Sequence, residues 1–197
     1  MRGPMRQITL IQGHPDAAGG HLDHALADAY AEGASAAGHQ LRRVAVAALD
    51  FPLLRNKQAF EHEPAPPALG PAQEAIAWAD HLVVVYPLWL GDMPALLKGF
   101  LEQTLRPGFA FDYLEGGKVR MKLKGKSARL VVTMGMPAMA YRWFYGAHSV
   151  KSFERNILKF VGIKPVARSL YGMVEAAGDD SRRAWLDELR ALGRNGA

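Results

Sequence analysis

A chain of 197 residues without cysteine is long enough to bury about 70% of its unfolded surface in one core, and the missing thiols exclude disulfides, thiol nucleophiles, iron–sulfur clusters and the usual zinc sites. Its net charge of +5 points to an anionic nucleotide or an acidic partner rather than to nucleic acid, because no nucleic-acid-binding motif accompanies it. No apolar run approaches the roughly 20 residues of a membrane helix, and Met1-Arg2-Gly3-Pro4-Met5 lacks the apolar centre of a signal peptide, so a cytoplasmic protein is expected, with Met5 an alternative start.

The first strand is expected at Gln7 to Gln12, running into the small-residue loop Gly13-His14-Pro15-Asp16-Ala17-Ala18-Gly19-Gly20-His21. A helix then opens at Leu22, with Leu22, Leu26, Ala29 and Tyr30 on one face. Such a junction offers unpaired N–H groups and a positive dipole end to an anion, and His14 could add a donor; it is also what an ordinary strand-to-helix turn looks like. The pair His21 and His24 has no third ligand at a plausible metal spacing, so a surface helix start is the better reading. A second strand follows at Gln40 to Val46. The Pro-rich, charged stretch Asp50 to Pro67 is longer than most connections and is either a lid or a dimer arm.

A helix at Pro71 to Ala79 leads into the third strand, His81-Leu82-Val83-Val84-Val85-Tyr86, which stops at Pro87. Leu88-Trp89-Leu90 follows, and a helix runs from Met93 or Pro94 to about Leu105. In open α/β sheets ligands bind beyond the carboxyl ends of the strands. Trp89 is therefore a wall for a planar ring, or else a plug between loops or a dimer contact. Lys118, Arg120, Lys122, Lys124 and Lys126 alternate, as on a solvated edge or short hairpin.

The fourth strand, Ala128 to Met134, reads as buried on both faces and ends at Gly135-Met136-Pro137, where a glycine lets backbone approach a ligand. Tyr141, Trp143, Phe144, Tyr145 and His148 come next, as a substrate slot or as loop packing. A helix from Ser149 to Phe160 ends at Gly162, a fifth strand covers Lys164 to Tyr171, and a last helix spans Asp180 to Leu192, capped by Asp179 or Asp180 with Trp185, Leu189 and Leu192 inward. The alternation predicts one α/β domain over residues 1–197: a five-stranded parallel sheet, order 2-1-3-4-5, with helices on both faces.

Tyr86-Pro87-Leu88-Trp89 followed by Met93-Pro94-Ala95-Leu96-Leu97-Lys98-Gly99-Phe100, with Pro107-Gly108-Phe109-Ala110-Phe111, Gly13-His14-Pro15 and Thr133-Met134-Gly135, resembles the flavodoxin-like NAD(P)H:quinone oxidoreductases. That group includes the mammalian diaphorase type, bacterial drug-modulator quinone reductases and ancillary reductases of potassium-efflux systems. The resemblance implies a bound flavin, FAD or FMN. Its phosphate would be held by His14, Gly20, His21 and Leu22. Its ring would lie against Pro87, Leu88, Trp89 and Leu90 and against Thr133, Met134, Gly135 and Met136, with either Trp89 or Leu90 stacking on it. Tyr141 and His148 are the nearest matches to a Tyr–His pair that stabilises the reduced flavin, Tyr141 also touching the cofactor. No metal is implied.

The implied activity is flavin-dependent NAD(P)H dehydrogenase (quinone), passing hydride to a quinone-like acceptor in a ping-pong cycle, by a homodimer without membrane insertion. Two other readings remain: a regulatory ancillary subunit with a potassium-efflux transporter as partner, and a flavodoxin-like electron carrier, against which the basic charge counts. The chain departs from the family in two places. Asp16 to His21 holds no hydroxyl, and Met136-Pro137 replaces a more glycine-rich turn, removing an N–H donor.

Overall fold

The computed structural model describes residues 4–197; the start of the expected leader-free segment, Met1 to Gly3, lies outside the described residues. Short β-rich runs become strands and the 3.6-period runs between them become helices. In chain order these are β1 (Gln7–Gln12), α1 (Leu22–Ala36), β2 (Gln40–Ala45), α2 (Lys57–His62), α3 (Gly70–Trp78), β3 (His81–Pro87), α4 (Ala95–Thr104), β4 (Phe111–Tyr113), β5 (Val119–Met121), β6 (Ser127–Thr133), α5 (Ala138–Trp143), α6 (His148–Ser152), α7 (Lys159–Val161), β7 (Val166–Tyr171) and α8 (Asp179–Asn195). The main sheet is wholly parallel, in the order β2-β1-β3-β6-β7, which is the expected 2-1-3-4-5.

Strand alternation sends neighbouring side chains to opposite layers. On β3, Val84 and Tyr86 join Leu97, Phe100 and Phe153 on one side, while Val83 and Val85 join Leu26, Tyr30 and Leu189 on the other. The second layer is formed by α1 and α8, which cross closely. A Cβ on Gly33 would lie 2.0 Å from the Arg190 carbonyl oxygen, and one on Gly193 would lie 2.1 Å from that of Tyr30. Only glycine permits this approach.

Four details differ from the sequence expectation. The long connection contains α2, capped by the Asn56 side chain accepting from Ala59 N–H at 2.8 Å. It is tied to α4 by Arg106, whose guanidinium donates to the carbonyls of Ala59, Glu63 and Pro64 at 2.8, 2.9 and 3.1 Å. The basic alternation is a hairpin, but one detached from the main sheet: β5 pairs only with β4, Arg120 forks onto Asp112 at 3.0 and 2.7 Å, and Lys126 donates to the Ala77 and Ala79 carbonyls at the end of α3. The helix before the fifth strand starts one residue early, at His148, and passes through a π-helical stretch, Phe153–Leu158, before Gly162 ends it at φ 104°. Finally, α8 is entered from Gly178 with no side-chain cap. Asp179 and Asp180 instead occupy its first turn, where carboxylates favour the positive end of the helix.

Candidate functional site

Strand order reverses at β1, whose chain continues to β2 on one side while β3 lies on the other. The loops beyond the carboxyl ends of β1, β3, β6 and β7 meet there around a cleft of about 390 Å³. Of the residues expected to hold a cofactor, His14, His21, Leu22, Pro87, Trp89 and Thr133 line it. A larger hollow, about 670 Å³, lies at the opposite end of the sheet beside Arg6, His81 and Arg129. Among the described residues its lining holds no tryptophan and no start of a long helix.

The first loop is fixed by its own polar side chains. Gln12 donates to the Asp23 carbonyl at 3.1 Å and accepts from His14 N–H at 3.0 Å. His14 Nδ1 then accepts from Asp16 N–H at 3.1 Å, and Asp16 accepts from Ala18 N–H at 2.9 Å. With Nδ1 an acceptor, neutral His14 carries its proton on Nε2. Its ring stacks on His21 at 4.0 Å and stands 5.2 Å from His24. Burial, then the neighbouring His21 and His24, lower the His14 pKa to about 4; burial, then His21, lowers that of His24 as well. The N-terminal end of α1, entered from His21, receives no side-chain cap.

Asp23, in the first turn of that helix, is buried. Thr133 Oγ1 lies 3.1 and 3.0 Å from its two carboxyl oxygens, a bond that ties α1 to the tip of β6. Burial raises its pKa to about 6, against the opposing pull of the Thr133 hydroxyl.

The turn after β3 is tighter than the sequence suggests. Trp89 and Asp92 exchange N–H···O bonds of 2.8 and 3.0 Å, and the two residues between them, Leu90 and Gly91, have φ of 48° and 81°, as a two-residue hairpin turn requires. This settles what faces the cleft: Leu90 projects wholly into solvent, whereas Trp89 is 51% exposed, lines the cleft and meets His14 edge-on at 5.9 Å.

The other expected residues fall outside the lining. Leu88 packs on the core and donates its N–H to the Thr133 carbonyl at 2.8 Å, and Met134 is core. Met136 packs against the core and accepts from Met173 N–H at 3.1 Å. Gly135 lies under Glu175, whose carboxylate would stand 3.0 Å from a Cβ at that position. Gly20 sits at φ 79° with open space beside it. Tyr141 is buried, with its hydroxyl 2.6 Å from Ser149 Oγ and accepting from Val150 N–H at 3.3 Å, so it serves the start of α6 rather than the cleft. His148 is exposed and is itself the first residue of α6; the residue before it, Ala147, holds the cap position at φ 49°.

Sequence reasoning missed Asp16, Asp23, Val174 and Glu175, all in the lining. The last two follow β7, and a parallel sheet puts that loop at the same end as the other three. That topological signal could have found them.

A parallel sheet of this order, with a switch-point cleft walled by an indole and opened by an uncapped helix start, defines a flavodoxin-like architecture. The chain belongs to the family described as having the flavodoxin-like fold, whose profile matches residues 6–192. Among curated relatives it is 33% identical over 113 residues to an uncharacterized NAD(P)H oxidoreductase of Haemophilus influenzae, covering 57% of this chain and 55% of the relative. It is 33% identical over 93 residues to FMN-dependent NADH:quinone oxidoreductase 1 of Hahella chejuensis, covering 47% of this chain and 43% of that one. The chain thus spans about half the length of the curated relatives it matches. Among solved structures, Smu.1420 of Streptococcus mutans is 26% identical with a TM-score of 0.81, over 95% of this chain and 98% of that one.

Proposed function

We propose that the protein is a flavin-dependent NAD(P)H dehydrogenase (quinone), working in the cytoplasm as one flavin-binding domain over residues 1–197, with FMN as its bound flavin. The observation that carries the reading is the switch-point cleft, where Trp89 and Pro87 offer an apolar wall beside His14, His21 and the uncapped start of α1. The names of the Haemophilus and Hahella relatives support the redox class, and the second favours FMN over FAD.

The donor set suits such a ligand. Backbone N–H groups at the start of α1 and the imidazoles would take the phosphate, and Trp89 would lie against the ring. The Gly135 N–H would donate to a ring carbonyl. Bound flavin would accept hydride from NAD(P)H and pass it to a quinone-like acceptor. The protein's share is to orient the ring between the Trp89 turn and the tip of β6, which Leu88 N–H joins at the Thr133 carbonyl, and to keep the start of α1 in register with β6 through Asp23 and Thr133. Tyr141 acts as a positioning residue for the start of α6.

Trp143 and Phe144 are 76% and 84% exposed; two copies of the chain joined over this aromatic turn would cover them. Light scattering on wild type and on a Trp143→Ala/Phe144→Ala double variant tests that. The main test is anaerobic mixing of FMN-loaded protein with NADH or NADPH. Bleaching of the flavin without any protein partner, followed by recolouring when a quinone is added, is expected. No bleaching with either nucleotide would overturn the reading.

A further inference from the structure

Three imidazoles at one helix entrance exceed what a loop needs for its own geometry. His14, His21 and His24 have ring centroids 4.0, 5.2 and 5.7 Å apart, and the first loop has no hydroxyl that could serve a phosphate instead. His14 is 6% exposed yet lines the cleft. Its Nδ1 is used within the loop, which leaves Nε2 without a hydrogen-bond partner among the described residues. His24 Nδ1 is also buried with no partner among them.

Resting on the flavin reading above, we propose that this cluster recognises a phosphomonoester and takes up protons as it binds, so that FMN is held progressively more weakly as pH rises. Without an anion, the buried His14 and the partly buried His24 are held neutral: burial first, and then the neighbouring imidazoles, disfavour their charged forms. A phosphate dianion in the cleft would offset both penalties, since His14 and His21 line it and the His24 ring stands 5.2 and 5.7 Å from theirs. Protonation of the cluster and binding of the anion therefore favour each other, and that is linkage. Riboflavin, which shares the ring but lacks the phosphate, has no such coupling.

The remaining charges around the cluster shape the response without supplying it. Asp16 holds His21 Nε2 at 2.7 Å. On α1, Asp28 is paired with Arg43 of β2, and the Asp23 carboxyl is bonded to Thr133 of β6. Glu175, after β7, lines the far side, and from the β3 turn, which also carries Asp92, the uncharged Trp89 meets His14 edge-on.

The test is titration of the apoprotein with FMN and with riboflavin by flavin-fluorescence quenching, at about pH 6.5 and about pH 8.5, both above the second phosphate pKa of about 6. The FMN dissociation constant should rise about tenfold or more across that range, while that of riboflavin stays level. Calorimetry in two buffers of different ionisation enthalpy should show net proton uptake with FMN. His21→Gln, at an exposed position, should reduce both the slope and the uptake, as should His14→Gln. Equal slopes for the two ligands, or unchanged slopes in both variants, would overturn the proton-linked cluster while leaving the flavin site intact. Failure of FMN, FAD and riboflavin alike to bind at either pH would remove the flavin reading and this inference with it.

Discussion

Two helix entrances, α1 and α6, share the same backbone problem and meet it in opposite ways. At α6 the Tyr141 hydroxyl accepts from Val150 N–H and bonds Ser149 Oγ, so the helix start is closed by the protein itself. At α1, a helix of 15 residues, no side chain among the described residues does this, and two nearby imidazole nitrogens, His14 Nε2 and His24 Nδ1, are left without a partner among them where the helix start meets the cleft. An entrance left unfilled is where a ligand can do the capping. The contrast also explains how a motif can mislead: it gives residue types, whereas the role of a hydroxyl depends on what it already holds.

The largest effect should come from displacing α1 as a body. Gly33→Val places a branched side chain where even a Cβ would lie 2.0 Å from the Arg190 carbonyl oxygen. A loss of about 3 kcal/mol or more is expected, read as a lower urea midpoint, with the open entrance and its flavin affinity lost together. If flavin binding survives unchanged, the site does not depend on where α1 sits.

Next is Asp23, the link between the open entrance and β6. Its folded pKa, raised to about 6 from 3.8, means that the folded state holds a proton which the unfolded chain has released. Stability should therefore fall as pH rises from about 4 through about 6 and then level off, by at most about 3 kcal/mol. Asp23→Asn should remove that fall, matching wild type near pH 4 and exceeding it at neutral pH by about 1 to 2 kcal/mol. Parallel urea curves at the two pH values check this, and a constant difference would contradict it.

The smallest effect sharpens the closed entrance. Tyr141→Phe keeps the ring and deletes the hydroxyl, costing about 1 kcal/mol of stability. The rate of flavin bleaching by NAD(P)H should change less than about threefold, well under the 1.4 kcal/mol that a tenfold change represents. A hundredfold loss in that rate with unchanged stability would return Tyr141 to the catalytic machinery.

The sheet was legible because its signals are local and repeat along the chain. β3 shows it: an unbroken apolar run ended by a proline, with all seven residues from His81 to Pro87 buried. The first and third-strand loops were legible for the same reason, since Gly13-His14 and Pro87 to Trp89 adjoin such runs. What hid was what only three dimensions decide. Asp23 looks like an ordinary first-turn acid until Thr133, 110 positions away, is seen on it. Glu175 carries no motif, and reaches the cleft only because β7 runs parallel to the rest. The exclusion of Leu90 needed the positive φ of a two-residue turn, which neither leucine nor tryptophan advertises.

Arg106 has a consequence for the stretch from Asp50 to Pro67. Three main-chain carbonyls of that stretch converge on one guanidinium, while the Gln103 amide donates to the Pro52 carbonyl and Phe51 and Phe60 pack on the core. The segment is thus fastened along its length, and the cation that gathers its carbonyls lies outside it, two residues beyond the end of α4.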